Sequence, residues 1–197
     1  MYKPTLAELE AIKTEYKIVP VSKEIFADLT TPIKVIKKKK NISDNVYLFE
    51  SVENTHHWGR YSFLGFNPSL EISCKNHLLK INKAINNEIQ EIKTDNPNIE
   101  IREILKAYKS PKFEYLPSFT GGLVGYFAYE YLRYQESKLD FVDETVNKDE
   151  VSFNDVDLML FDKVIAFDHY TKKIILIVNI KTDDLEANYA KAIDDLE

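Results

Sequence analysis

The sequence predicts an α+β fold: antiparallel sheets of short, hairpin-linked strands with helices packed on the outside. Three observations predict it. Residues 46–92 hold a series of short β-rich segments separated by turn residues. Amphipathic helical patterns lie on either side, at residues 5–13, 98–108 and 182–197. Aromatic residues make up 12% of the chain, with 12 Tyr and 11 Phe, a content that suits a packed core and not a disordered chain.

Thr5 to Lys13 places Leu6, Leu9 and Ile12 at helical spacing behind Pro4. Thr5 is the expected N-cap, and Glu8, three residues on, its capping-box partner. Tyr16 to Val21 reads as a short strand. Pro32 to Lys40 reads as a helix of a turn or two, with proline at the start, where its missing N–H costs nothing. The lysines at 37–40 are expected to form a solvated helix end or loop.

Strand-like segments follow at Val46–Glu53, Arg60–Gly65, Ser69–Lys75 and Leu78–Lys83, with Glu88–Ile92 as a further strand. Asn54-Thr55, Asn67-Pro68 and Lys75-Asn76 supply the turns, so the whole reads as an antiparallel meander. Asn98 to Tyr108 is a helix with Ile101, Ile104, Leu105 and Tyr108 on one stripe. Pro111 and Pro117 bracket a loop, and Asp140 to Asp155 is acidic, the pattern of a mobile surface loop. Val156–Asp168 and Lys172–Ile180 read as two strands joined at His169-Tyr170-Thr171. Thr182–Glu197 is an amphipathic helix carrying Leu185, Tyr189 and Ile193, with Thr182 as its cap. The sequence ends on that helix, as though cut between two elements. Residues 1–197 are read as one domain.

Composition narrows the function classes. The formal net charge is −6 and the pI about 5.4, which disfavours a nucleic-acid partner. Four lysines without arginine or interleaved aromatics do not reverse that. Cys74 is the only cysteine, so no intrachain disulfide forms, which fits a reducing compartment. The opening MYKPTLAELE has no apolar h-region of a signal peptide. No stretch approaches the ~20 apolar residues of a membrane span; the longest apolar run is Ile174–Val178. The expectation is a cytoplasmic protein without a membrane partner.

Catalytic motifs are not found. No serine or cysteine sits in a nucleophile elbow, and Gly121, Gly122 and Gly125 lack the spacing of a dinucleotide or phosphate loop. These glycines are expected to serve backbone conformation and close packing. His56 and His57 are adjacent, a poor arrangement for one metal ion. Arg60 and Arg133 are expected in structural ion pairs, with Glu50, Glu53 or Glu130 as partners. Tyr126 and Tyr129 are expected in the core. Neither a catalytic residue nor a metal site is expected.

Three segments carry a resemblance. The first is FESVENTHHWGRYSFLGFNP, Phe49 to Pro68, with Glu50-Ser51 followed by Gly59-Arg60-Tyr61-Ser62-Phe63-Leu64-Gly65. The second is PSFTGGLVGYFAYEYLR, Pro117 to Arg133, with Glu130 where an aspartate is commoner. The third is DLMLFDKVIAFDH, Asp157 to His169. In this order they resemble the N-terminal, non-catalytic region of anthranilate synthase component I, a chorismate-utilising family.

The resemblance implies an enzyme that takes chorismate and ammonia, with magnesium, to anthranilate and pyruvate in tryptophan biosynthesis. It implies a glutamine amidotransferase partner (component II), feedback inhibition by tryptophan, and a C-terminal catalytic domain beyond residue 197 that holds the magnesium and chorismate ligands. The isolated chain is then not an enzyme and has no cofactor of its own. The family's inhibitor motif maps onto Glu50 and Ser51. Along a regular strand Tyr47, Phe49 and Ser51 share one face and Glu50 takes the other. Ser51 is therefore expected to contact tryptophan by its side chain, and Glu50 by its backbone or a salt bridge. The alternative is a Ser51 hydroxyl that merely satisfies a neighbouring backbone group. An apolar face left uncovered is expected to drive self-association. Two rival readings stay open. One is aminodeoxychorismate synthase component I of folate synthesis; the other is a docking module for the amidotransferase with no ligand of its own.

Overall fold

The computed structural model describes residues 1–50, 59–86, 88–136 and 153–197. Among them are eleven strands and four α-helices. In chain order these are β1 (Tyr2–Lys3), α1 (Leu6–Ile12), β2 (Ile18–Phe26), α2 (Pro32–Lys39), β3 (Val46–Phe49), β4 (Tyr61–Phe66), β5 (Leu70–Lys75), β6 (Leu78–Lys83) and β7 (Glu88–Lys93). They continue with α3 (Pro97–Ala107), β8 (Gly122–Phe127), a 3₁₀ helix (Tyr129–Tyr134), β9 (Val156–Phe161), β10 (Lys163–Asp168), β11 (Lys173–Lys181) and α4 (Leu185–Leu196). The chain divides into two compact units. One comprises Met1–Pro68, Lys106–Gly122 and Phe161–Glu197; the other comprises Ser69–Leu105 and Leu123–Leu160.

The first unit is built on a six-stranded sheet in the order β1-β2-β11-β10-β4-β3, antiparallel throughout. The apolar run Ile174–Val178 lies in β11 near its middle, so the strand is covered on both faces. A strand buried on both sides reads as continuous hydrophobicity and not as alternation. On one face Val19, Val21, Val178 and Ile180 pack with Leu9 of α1 and Leu185, Ala192 and Leu196 of α4. On the other, Val164, Ala166, Ile175 and Ile177 meet Tyr61, Phe63, Leu116 and Phe119. Each fully buried valine, leucine or isoleucine here stabilises the fold by roughly 1.5–3 kcal/mol through loss of water contact.

α1 starts where the sequence says it should. Glu8 N donates to Thr5 Oγ1 at 3.4 Å, and Thr5 N donates to the Glu8 carboxylate at 2.7 Å, a complete capping box. α4 departs from expectation. It starts after Asp184, while the Thr182 hydroxyl donates to the Tyr16 carbonyl at 2.9 Å and ties β11 to the segment before β2. β2 runs on to Phe26, beyond the expected Val21. Its polar half, Ser22 to Phe26, is held as a strand by nine-residue pairing with β11, information the local sequence lacks.

The second unit has a five-stranded sheet in the order β7-β6-β5-β9-β8. β5 alternates buried Leu70, Ile72 and Cys74 with half-buried Glu71, Ser73 and Lys75, the period of two that one covered face imposes. Lys75 pairs with Leu78, and the two residues between them, Asn76 and His77, have φ of 47° and 63°. Both signs match a type I′ hairpin turn. In β8, Gly125 has φ +157°, and a Cβ there would lie 2.0 Å from the Asp157 carbonyl oxygen. Only glycine lets β8 approach β9 this closely.

Three expectations differ from the structure. Val156–Asp168, read as one strand, is two, in different sheets. The break is at Asp162, whose carbonyl accepts from Asn179 N at 2.9 Å and from Asn179 Nδ2 at 3.0 Å. Unbroken hydrophobicity conceals a change of sheet, because both halves are equally buried. The predicted meander is likewise divided, with β3–β4 in one sheet and β5–β6–β7 in the other. Tyr126 and Tyr129 were expected in the core and are exposed, at 39% and 87%. Most of the acidic stretch from Asp140 lies outside the described residues.

Candidate functional site

The first and second sequence motifs meet on one face of the first unit's sheet, at its β3–β4 edge. β3 pairs with β4 so that Tyr47 lies opposite Gly65 and Phe49 opposite Phe63. Opposite residues share a face, so these four positions form one surface. The Tyr47 ring lies 5.1 Å from Phe49 and 4.7 Å from Phe161, and Phe63 stands edge-on to Phe119 at 5.6 Å. Tyr61 continues the row at 5.7 Å from Phe63.

Gly65 makes the arrangement possible. A Cβ at that position would fall 2.2 Å from Tyr47 Cε1 and 3.0 Å from Phe161 Cδ1. The tyrosine ring occupies the space a side chain would take. Its hydroxyl is buried without a hydrogen-bond partner among the described residues, and burial pushes the phenol far above its ordinary pKa. Phe49, by contrast, is 54% exposed. The result is an aromatic wall, closed at Tyr47 and open at Phe49. Tilted and edge-on rings of this kind suit a planar aromatic ligand. Phe119 also borders a cavity of about 390 Å³ shaped by the loop from Ser110 to Gly121.

The third motif locks to the first at the far end of β4. Asp168, 3% exposed, receives Arg60 Nη2 at 2.6 Å and Nε at 3.1 Å on one oxygen. Its other oxygen accepts Tyr170 N at 3.0 Å and Thr171 N at 3.1 Å. Burial by itself would raise this carboxyl's pKa; the hydrogen bonds from Arg60 and Thr171 outweigh it and hold the pKa at about 2. Among the described residues Arg60 thus pairs with Asp168, not with the expected Glu50 or Glu130; the third expected acid, Glu53, lies outside them.

Ser62 Oγ lies 2.7 Å from His169 Nε2, beside that pair. The three residue types of a hydrolytic triad are therefore close together, and they do not form one. Ser62 is 2% exposed within a strand, and the Asp168 carboxylate is engaged by Arg60 and the turn amides, so it does not orient His169. The cluster fixes β4 against β10.

The second unit has its own polar lock. Tyr134 donates to Asp155 Oδ2 at 2.7 Å, accepts from His77 N at 3.0 Å and touches Cys74 Sγ at 3.5 Å. Cys74 is fully buried, and burial pushes its thiol pKa up, the opposite of a reactive cysteine.

Of the two predicted inhibitor residues, Glu50 is exposed, one residue past β3 at the open end of the wall. Ser51 lies outside the described residues, as do Glu53, His56 and His57. Tyr47, Phe63 and Phe119 were not singled out as site residues. Alternation along β3 gave Tyr47 and Phe49 one face, but nothing local to Phe119 shows that it packs there. Among the described residues no group of three or more His, Cys, Asp or Glu is placed to hold a metal. No helix of the described residues is long and apolar enough to cross a membrane.

No protein-family model matches the chain. Anthranilate synthase component 1 of Acetivibrio thermocellus is 35% identical over 196 residues, covering 98% of this chain and 38% of that protein. The protein of the same name from Acinetobacter calcoaceticus is 38% identical over 197 residues, again covering 98% and 38%. A solved structure, anthranilate synthase component I from Streptococcus pneumoniae TIGR4, aligns with 87% of this chain and 36% of that one, at 23% identity and a TM-score of 0.49. The chain spans well under half the length of these curated relatives.

Proposed function

We propose that this chain, a homologue of the N-terminal part of anthranilate synthase component I, is the regulatory and structural part of that subunit and carries part of its tryptophan feedback site. One observation carries the reading: identity of 35–38% to proteins of that name over 98% of the chain.

The whole enzyme would convert chorismate, with ammonia drawn from glutamine, to anthranilate and pyruvate. This chain's share is not the bond-making. Its serine, histidine and aspartate are locked in structural contacts, and the magnesium and chorismate ligands would come from the rest of the subunit. The amidotransferase would be a second protein.

A tryptophan site must offer an apolar wall for the indole, acceptors for the ammonium and donors for the carboxylate. The aromatic wall of Tyr47, Phe49, Phe63 and Phe119 supports the first requirement. The strand end at Glu50, exposed one residue past β3, supports the second, and the Ser51 hydroxyl would add to it. The remaining groups would come from outside the chain, so weak binding is expected here. Inhibition follows if tryptophan favours one arrangement of the enzyme's parts by ~1–3 kcal/mol.

The test is tryptophan inhibition of the full-length subunit with Ser51→Ala. We expect the half-inhibitory concentration to rise about tenfold or more, the loss of roughly one good hydrogen bond. Unchanged inhibition removes Ser51 from the site. Formation of anthranilate from chorismate and ammonia by the present chain alone overturns the non-catalytic role.

A further inference from the structure

We propose that the outer face of α2 is a docking surface for an acidic protein segment. The helix buries none of its residues. Helical phase divides it. Pro32, Val35, Ile36 and Lys39 are half-buried, with the Lys39 ammonium 4.0 Å from the centre of the Phe66 ring. Ile33, Lys34, Lys37 and Lys38 are exposed, and so is Lys40 at the C-cap.

A solvated helix end explains part of this. Cations in a last turn interact well with the helix dipole. That accounts for Lys37 and Lys38 and fails for Lys34, which sits in the first turn. Lysines at i, i+3 and i, i+4 also repel one another along this face, and no acid lies between Asp28 and Asp44 to relieve them. Elsewhere in the same unit lysines have partners: Lys23 with Glu197, Lys163 with Asp195, Lys173 with Glu24. Lys34, Lys37, Lys38 and Lys40 have none among the described residues.

The occupant follows from charge and from Ile33 and Ile42, 53% and 61% exposed, which flank the lysines in sequence. A partner must bring carboxylates flanked by apolar side chains. A long polyanion would meet the repulsion of a chain with net charge −6, and the face lacks the arginines and aromatics that hold nucleic acid. The inference stands apart from the tryptophan site.

The test is fluorescence anisotropy with three probes: a labelled 15-residue helical peptide carrying glutamates around two leucines, duplex DNA, and vesicles with 30% anionic lipid. The unaltered chain should bind the peptide more tightly than either other probe, and more weakly as salt rises. Lys37→Glu/Lys38→Glu should weaken the peptide by about tenfold or more. Lys112→Glu/Lys191→Glu makes the same charge change elsewhere and should leave binding within about twofold. Circular dichroism should show all variants folded. Absence of peptide binding, equal loss in both double variants, or tighter binding of DNA or vesicles would each overturn the proposal.

Discussion

Arg60 and Asp168, 108 positions apart in sequence, face each other across the β4–β10 pair with Nη2 and Oδ2 2.6 Å apart. The carboxylate is buried at 3% exposure while the guanidinium is 43% exposed, so the pair sits at the rim of the sheet with one partner in water. The Arg60 guanidinium lies 4.8 Å from the Tyr61 ring centre, which holds its plane in place.

Asp168 therefore makes stability depend on acid. Its folded pKa of about 2 lies below its ordinary value of 3.8. A depressed folded pKa contributes stability that is fully present above the unfolded pKa. That contribution is lost as pH falls from near 4 through the folded value. Discounted for the exposed arginine, it amounts to about 1–2 kcal/mol. Asp168→Asn should lose that much at pH 7 in urea denaturation, and its stability should change less than the unaltered chain's between pH 4 and pH 2. An unchanged pH profile would show that Asp168 is not the titrating group.

Tyr47 offers the reverse case. Its hydroxyl is buried and has no partner among the described residues, so burial there costs it water without a hydrogen bond in return. Tyr47→Phe should keep the ring against Phe49 and Phe161 and leave stability unchanged or raised by about 1 kcal/mol. Gly65→Ala should behave differently. The added methyl would strike the ring at 2.2 Å, and displacing it should cost about 1–3 kcal/mol. Thermal melts of the two variants check both; a destabilised Tyr47→Phe would reveal a partner for the hydroxyl.

What the sequence made legible follows the range of the interaction. The α1 capping box joins residues three apart and was read correctly, and so were the two strands of the β5–β6 hairpin, whose turn falls at Asn76-His77, one residue past the expected Lys75-Asn76. The glycines at 121, 122 and 125 all have φ between +137° and +157°, as expected of backbone-conformation positions. The failures concern partners that are far apart. Asp168 was not among the acids expected for Arg60 and Arg133, because nothing near Arg60 in sequence points to residue 168. The strand from Val156 to Asp168 is hydrophobic on both sides of Asp162, so the sheet change is invisible until the Asn179 hydrogen bonds are seen. At the site, β3 alternation indicated which face Phe49 takes, while the approach of Phe119 depends on tertiary packing.

Tyr134 tests the second unit alone. Its hydroxyl donates to Asp155 and accepts from the His77 amide, so Tyr134→Phe leaves a carboxylate oxygen and a backbone N–H short of a partner. Loss of about 1–3 kcal/mol is expected. Burial, with the Asp155 and Cys74 contacts adding to it, pushes the phenol far above its ordinary range. In an alkaline absorbance titration Tyr134 should stay protonated until the unit unfolds. The Tyr134→Phe variant should then show the same number of tyrosines ionising before unfolding as the unaltered chain. A loss of one from that early group would mean the hydroxyl is not held as described.

The exposed aromatics of the second unit lead to a prediction about association. Tyr126, Phe127, Tyr129, Leu132 and Phe153 are 39–87% exposed and lie close together in the chain or in contact, with Tyr126 6.4 Å from Phe153 and Phe127 4.9 Å from Tyr131. β8, which carries two of them, is also an edge strand of its sheet among the described residues, none of which pairs with its outer side. Apolar surface next to a free strand edge favours pairing with another chain. The purified chain should therefore show a weight-average mass that rises with concentration in sedimentation equilibrium. Phe127→Lys adds a charge at the edge and removes an exposed ring, two of the means by which natural edges avoid pairing. It should shift the curve toward monomer without lowering the melting temperature, since Phe127 is half in solvent already. A mass that stays monomeric for the unaltered chain would show that this edge does not drive self-association. A mass that rises equally in both would place the contact elsewhere.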